Sequence, residues 1–129
     1  MNKAILNKEV QEFIRGNLKT DLSKLILKGS PFKNITIQEI AVQIQALQKV
    51  KTKLPTFFYA ENIIFPPNIS LEQTSSEITA KYKASLIGGS KAIDITGGFG
   101  IDAFFIAENF EKLLHCEIDP HLSEIAAHN

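Results

Sequence analysis

Residues 92–102 read AIDITGGFGID, and no other stretch constrains this chain as much. A short branched run, Ala92-Ile93-Asp94-Ile95, is followed at once by Thr96-Gly97-Gly98-Phe99-Gly100. Branched residues in so short a run favour a buried strand, and crowded glycines favour a tight turn with a bare backbone. Residues 101–108 continue with Ala103, Phe104, Phe105, Ile106 and Ala107, an apolar helix pattern. A second strand is expected over LLHCEI, residues 113–118, its end marked by Glu117 and Asp119. Pro120 suits the first turn of a last helix through HLSEIAAHN. Strand, glycine turn, helix, strand and helix predict a β-α-β-α unit, the first half of a Rossmann-like, doubly wound α/β domain, over residues 87–129.

The chain before this unit reads as helical. Asn7 can cap KEVQEFIRG, whose Val10, Phe13 and Ile14 share one stripe. Thr20 or Asp21 starts a second helix carrying Leu22, Leu25 and Ile26, which KGSP ends. Thr36 and Glu39 form a capping box before Ile37, Ile40, Ala41, Ile44 and Leu47, and Leu54-Pro55 closes that helix. Residues 56–70 have neither period, and Pro66-Pro67 predicts an ordered connector that docks Phe57, Phe58, Ile63, Ile64 and Phe65 on a core. A helix at SSEITAKYKASLI follows, capped by Thr74 or Ser75, with Ile78, Tyr82 and Leu86 at i, i+4, i+8. The expected division is therefore an α-helical N-terminal domain with connector over residues 1–86, then the α/β unit over residues 87–129.

Charge follows the same division. Residues 1–90 hold 12 Lys/Arg against 7 Asp/Glu, a net of +5, and residues 91–129 hold 2 against 7, a net of −5. A basic unit can bind a polyanion such as RNA, although scattered lysines most often solvate helix faces. The single cysteine, Cys116, excludes an internal disulfide and fits a reducing cytosol. No apolar run is long enough for a membrane span, and Lys8 and Glu9 interrupt any signal-peptide core. His115, His121, His128 and Cys116 have no metal-ligand spacing.

The glycines suit two cofactor classes. Gly98-Phe99-Gly100-Ile101-Asp102-Ala103 begins a dinucleotide-binding pattern, and Glu117 stands 19 residues after Gly98, where an acid that binds a ribose belongs. Asp94 separates the two. A carboxylate at the end of the first strand repels the pyrophosphate of NAD. It attracts the ammonium and sulfonium of S-adenosylmethionine (SAM). Against this stands a bland alternative, in which Asp94 caps the next helix and the glycines make a turn with no ligand. Asp102 reads as first-turn helix charge.

AIDITGGFGID with the following CEIDP resembles the first two motifs of class I SAM-dependent methyltransferases. LEQTSSEITAKYKA, residues 71–84, is similar to the segment that precedes this domain in bacterial members carrying a THUMP-like domain, relatives of cap-guanosine and tRNA methyltransferases. The resemblance covers residues 65–129. It implies SAM contacts from Asp94, Thr96, Gly98, Gly100 and Glu117, with Thr96 where many relatives have glycine. Gln73, Thr74 and Ser75 are candidates for the methionine end of the cofactor, with helix capping as their other role. The family places its catalytic loop after a fourth strand, so the expectation is the N-terminal piece of a longer, RNA-directed enzyme with no catalytic residue in this chain. A non-catalytic nucleic-acid-binding module and an NAD-dependent oxidoreductase fragment are the alternatives.

Overall fold

In the computed structural model, which describes residues 1–129, a 3₁₀ turn at Lys3–Leu6 leads into two short helices that lean on a long one. These are α1 (Lys8–Gly16), α2 (Leu22–Lys28) and α3 (Ile37–Lys53). Caps set the starts. The Asp21 carboxylate accepts the Ser23 N–H at 2.9 Å. Thr36 Oγ1 accepts the Glu39 N–H at 3.2 Å while the Glu39 carboxylate accepts the Thr36 N–H at 2.8 Å, closing the expected box. Asn7 occupies the cap position of α1 without a side-chain bond to it. Ile37, Ile40, Ala41, Ile44 and Leu47 are all buried, as their spacing predicts.

The connector departs from expectation, for it contains two helices, α4 (Pro55–Tyr59) and α5 (Asn68–Gln73). Pro55 both ends α3 and opens α4, because the first turn of a helix has no use for the missing N–H. Phe57, Ile64 and Phe65 are buried and Phe58 and Ile63 half-buried, so the docking role holds.

Helix α6 (Glu77–Ser85) corrects two further expectations. Its cap is Ser76, whose hydroxyl accepts the Thr79 N–H, rather than Thr74 or Ser75. Its Ile78, Tyr82, Leu86 stripe faces outward, with exposures of 81%, 65% and 63%, while Glu77, Ala80 and Ala84 are buried. Glu77 is held inward at the start of α6. Its carboxylate accepts the Thr56 N–H at 2.8 Å and the Thr56 hydroxyl at 2.7 Å, and Lys81 pairs with it. The two alanines then form the side of α6 that packs on α7 (Ile101–Ile106).

Strands β1 (Gly89–Asp94) and β2 (Phe110–His115) flank α7 in sequence and pair in parallel, and α8 (Pro120–His128) follows. Both strands lie earlier than expected, and α7 gives way to a 3₁₀ turn at Ala107–Asn109 instead of running to Glu108. Register places Ala92 against Leu113, Ile93 against Leu114 and Asp94 against His115. Neither strand is buried on both sides. Ala92 and Leu113 are half-buried, whereas Ile93 and Leu114 on the other face are 62% and 57% exposed. Parallel sheets ordinarily carry cover on both faces, and this one has cover on one. Serine at both Ile93 and Leu114 should therefore change stability by no more than about 0.5 kcal/mol per site. The same variant should bind less of an apolar dye. A loss of several kcal/mol in urea unfolding would mean that this face is packed.

One apolar cluster runs from Ile5 through α3 to Phe99, Ile101, Phe105 and Ile125. Phe99, in the glycine turn, packs between Phe57 and Phe65 with ring centroids 5.8 and 6.0 Å away. Asn129 closes the other end, exchanging hydrogen bonds of 2.9 Å with the backbone of Ile64. Residues 1–86 and 87–129 thus share a core, and the helical part holds the turn from beneath.

Candidate cofactor site at the glycine turn

The turn between β1 and α7 is tied to the end of β2 by its backbone. Cys116 N–H donates to the Asp94 carbonyl at 2.8 Å, and Gly97 N–H donates to the Cys116 carbonyl at 2.9 Å. Gly98 and Gly100 have φ of 53° and 87°, left-handed values at which a side chain is strained. Gly97 is needed for another reason. A Cβ there would stand 2.1 Å from His115 Nε2, because the imidazole lies against the bare backbone.

Glu117 closes the arrangement. One carboxylate oxygen accepts the Gly98 N–H at 2.8 Å, and the other accepts the Asp119 N–H at 2.8 Å. The backbone N–H of Asp119, then that of Gly98, hold its carboxyl below the usual carboxylate range, so it is ionised at neutral pH. Two acceptor sites are filled, and an ionised carboxylate has capacity for about two more.

A cleft of about 370 Å³ opens at this point. Thr96, Gly98 and Glu117 line it, and so do Gln73 and Thr74 from the end of α5. Asp94 and Gly100 are not on its wall. The Asp94 carboxylate accepts the Thr96 N–H at 3.1 Å and shapes the turn from within, while Gly100 sits at the start of α7 near Ala126. Asp102 is on the wall and does more than balance a helix end. Its Oδ2 accepts from Lys83 Nζ at 2.8 Å and from the Ser75 hydroxyl at 2.9 Å, and its enclosed Oδ1 has no partner. This Ser75–Lys83–Asp102 group went unread in the sequence, since its members stand up to 27 residues apart with no motif to join them. The cleft wall contains Asp102 and Glu117 and no Lys, Arg or His. Lys83 neutralises Asp102, so the uncompensated charge on the wall is that of Glu117, which disfavours a pyrophosphate beside it.

No family model matches the chain, and no curated protein matches it. Among solved structures it is similar to a protein of Porphyromonas gingivalis W83, provisionally described as a methyltransferase, with a TM-score of 0.78 and 25% identity. The match covers 97% of this chain and 31% of that one, so the chain spans about a third of its neighbour's length. The fold defined by these helices and the small parallel sheet is thus methyltransferase-like. No helix is long and apolar enough to cross a membrane.

Proposed function

We propose that this chain is the N-terminal part of a cytoplasmic, SAM-dependent methyltransferase that acts on RNA. In this reading residues 1–86 are a helical domain of the THUMP-like-domain subfamily, and residues 87–129 begin a Rossmann-like SAM-binding domain. The observation that carries the reading is the cleft in which the left-handed Gly98 and the ionised Glu117 meet at 2.8 Å with no cation on the wall. Its volume lies within the usual range of about 300–1,000 Å³ for small-ligand sites. The likeness to a protein described as a methyltransferase supports it independently. The bare sheet face at Ile93 and Leu114 supports an incomplete domain, since further layers of the same enzyme would cover it.

SAM, when bound, supplies a methyl group activated by its sulfonium. The residues here would hold it. Glu117 accepts the ribose hydroxyls, Gly98 lets the cofactor lie against the turn, and Thr96 borders the same wall. Asp94 acts through its negative field on the cationic end, and Gly100 permits the sharp entry into α7. The methyl acceptor and the catalytic groups belong to the rest of the enzyme. A nucleic-acid-binding module without catalysis is the second reading, favoured by the net +5 of residues 1–90.

Calorimetric titration of the complete enzyme with SAM and with NAD tests the proposal. Glu117→Ala should weaken SAM binding about tenfold or more, through loss of charge-assisted hydrogen bonds. Asp94→Ala should weaken it by less and leave the poor affinity for NAD no poorer. Undiminished SAM affinity in both variants would reduce the glycine stretch to a turn. The 129-residue chain alone should bind SAM little or not at all.

A further inference from the structure

Residues 74–76 join α5 to α6, and this linker has few bonds of its own. Thr74, Ser75 and Ser76 donate no backbone N–H to the protein. Thr74 and Ser76 are extended, with φ of −74° and −70° and ψ of 152° and 158°. Ser76 is occupied in starting α6, through its carbonyl and its hydroxyl. Yet Thr74, with Gln73 before it, lines the cleft together with the glycine turn.

A closed triangle of side chains ties the linker to the exit of that turn. The Ser75 hydroxyl donates to Asp102 Oδ2 at 2.9 Å. Lys83 Nζ donates to the Ser75 hydroxyl oxygen at 2.9 Å and to the same Asp102 oxygen at 2.8 Å. An ammonium only donates, so Ser75 must accept from Lys83, and its own proton is left for Asp102. The three members come from the linker, the last turn of α6 and the first turn of α7. No other hydrogen bond runs from residues 73–76 to residues 94–102. Neither Ser75 nor Lys83 lines the cleft, whereas Thr74 and Asp102 both do.

We propose that Ser75 and Lys83 are positioning residues that act through Asp102. They clamp the α5–α6 linker to the first turn of α7 and so fix how Gln73 and Thr74 stand against the glycine turn. The Lys83 and Asp102 side chains are 46% and 30% exposed, and a pair so open to water adds little to global stability. Its effect is local, on a linker whose backbone N–H groups hold nothing. A wall already in place loses less freedom when a ligand binds. The clamp stands on bond geometry alone, and its service to SAM rests on the reading proposed above.

NMR relaxation of the 129-residue chain tests the clamp. Ser75→Ala removes the hydroxyl and leaves the Lys83–Asp102 pair, so the charge on the wall is unaltered. Backbone order parameters at residues 74–76 should fall from about 0.85 to about 0.6 or lower. The thermal midpoint should drop by no more than about 5 °C. Lys83→Met should loosen the same residues, and Ser75→Thr, which keeps a hydroxyl, should leave them as in the natural chain. An unchanged linker in Ser75→Ala would overturn the inference. So would loosening that spreads along α6, which marks a loss of fold. In the complete enzyme Ser75→Ala should weaken SAM binding about three- to tenfold, and Ser75→Thr should restore it. A loosened linker with undiminished SAM affinity would overturn the positioning role. A loosened linker in an enzyme that binds no SAM at all would retire the cofactor reading and leave the clamp standing.

Discussion

Replacing Glu77 with alanine should destabilise the protein by about 2–4 kcal/mol, the range for opening a buried, hydrogen-bonded carboxylate site. The Glu77 side chain is only 7% exposed and accepts from the Thr56 N–H, the Thr56 hydroxyl and Lys81. Lys81 reaches solvent once the carboxylate is gone, but the first turn of α4 loses its acceptor. Because α6 packs on α7, which follows the glycine turn, the loss should spread to that turn, broadening amide signals from Gly97 to Gly100. A thermal midpoint lowered by roughly 10 °C is the expected reading in a chain of this size. An unchanged midpoint would show that α6 finds its rotation without this tie.

The same residue gives a pH dependence with a definite sign. Burial alone would raise its carboxyl, but the Lys81 bond and the Thr56 backbone and hydroxyl bonds outweigh burial and hold it below the usual glutamate range. A depressed folded-state value means that the stabilisation is complete above the unfolded value and disappears as pH falls through the folded one. The stability gap between the natural chain and Glu77→Gln should therefore be full at neutral pH and close in acid. A gap that is constant with pH would assign the loss to shape instead of charge.

The second large effect is expected at Gly97. An alanine methyl there would overlap the imidazole of His115, with 2.1 Å to Nε2 and 2.3 Å to Cδ2. Both backbones are held, Gly97 by its bond to Cys116 and His115 by its register against Asp94, so relief of the overlap requires the His115 ring to turn. Gly97→Ala should cost about 1–3 kcal/mol, the usual range for overpacking. Adding His115→Ala should recover most of it, and the double-variant cycle isolates that coupling. If Gly97→Ala alone proved neutral in urea unfolding, the ring would be swinging aside, and the glycine would be there only for the turn.

Much of this architecture was legible in local chemistry. The capping box of Thr36 and Glu39, the cap at Asp21 and the buried face of α3 each depend on residues within a turn or two, where spacing and geometry are the same thing. The order of strand, glycine turn, helix, strand and helix was legible for the same reason. Their boundaries were not. The second strand ends at His115, before the expected 118, because residues 116 and 117 are drawn into bonds with the turn. At α4, Pro55 was legible as a stop and illegible as a start, since the acceptor that completes its first turn lies 21 residues away at Glu77.

The sequence by itself determined that this chain would pair a mostly helical N-terminal part with a glycine turn set between two strands, and that Gly98 and Glu117 would stand at the spacing of a cofactor site. Those features come from short-range preferences of φ, capping and periodicity, which adjacent residues carry with them. Only the tertiary structure decided which candidates meet at one cleft, with Thr96, Gly98 and Glu117 on its wall and Asp94 and Gly100 off it. It alone turned the Ile78, Tyr82 and Leu86 stripe outward and joined Lys83 to Asp102. Periodicity tells that a helix has an apolar stripe and not which side its neighbours will cover, and here the covered side carries Glu77, whose partner Thr56 lies 21 residues away.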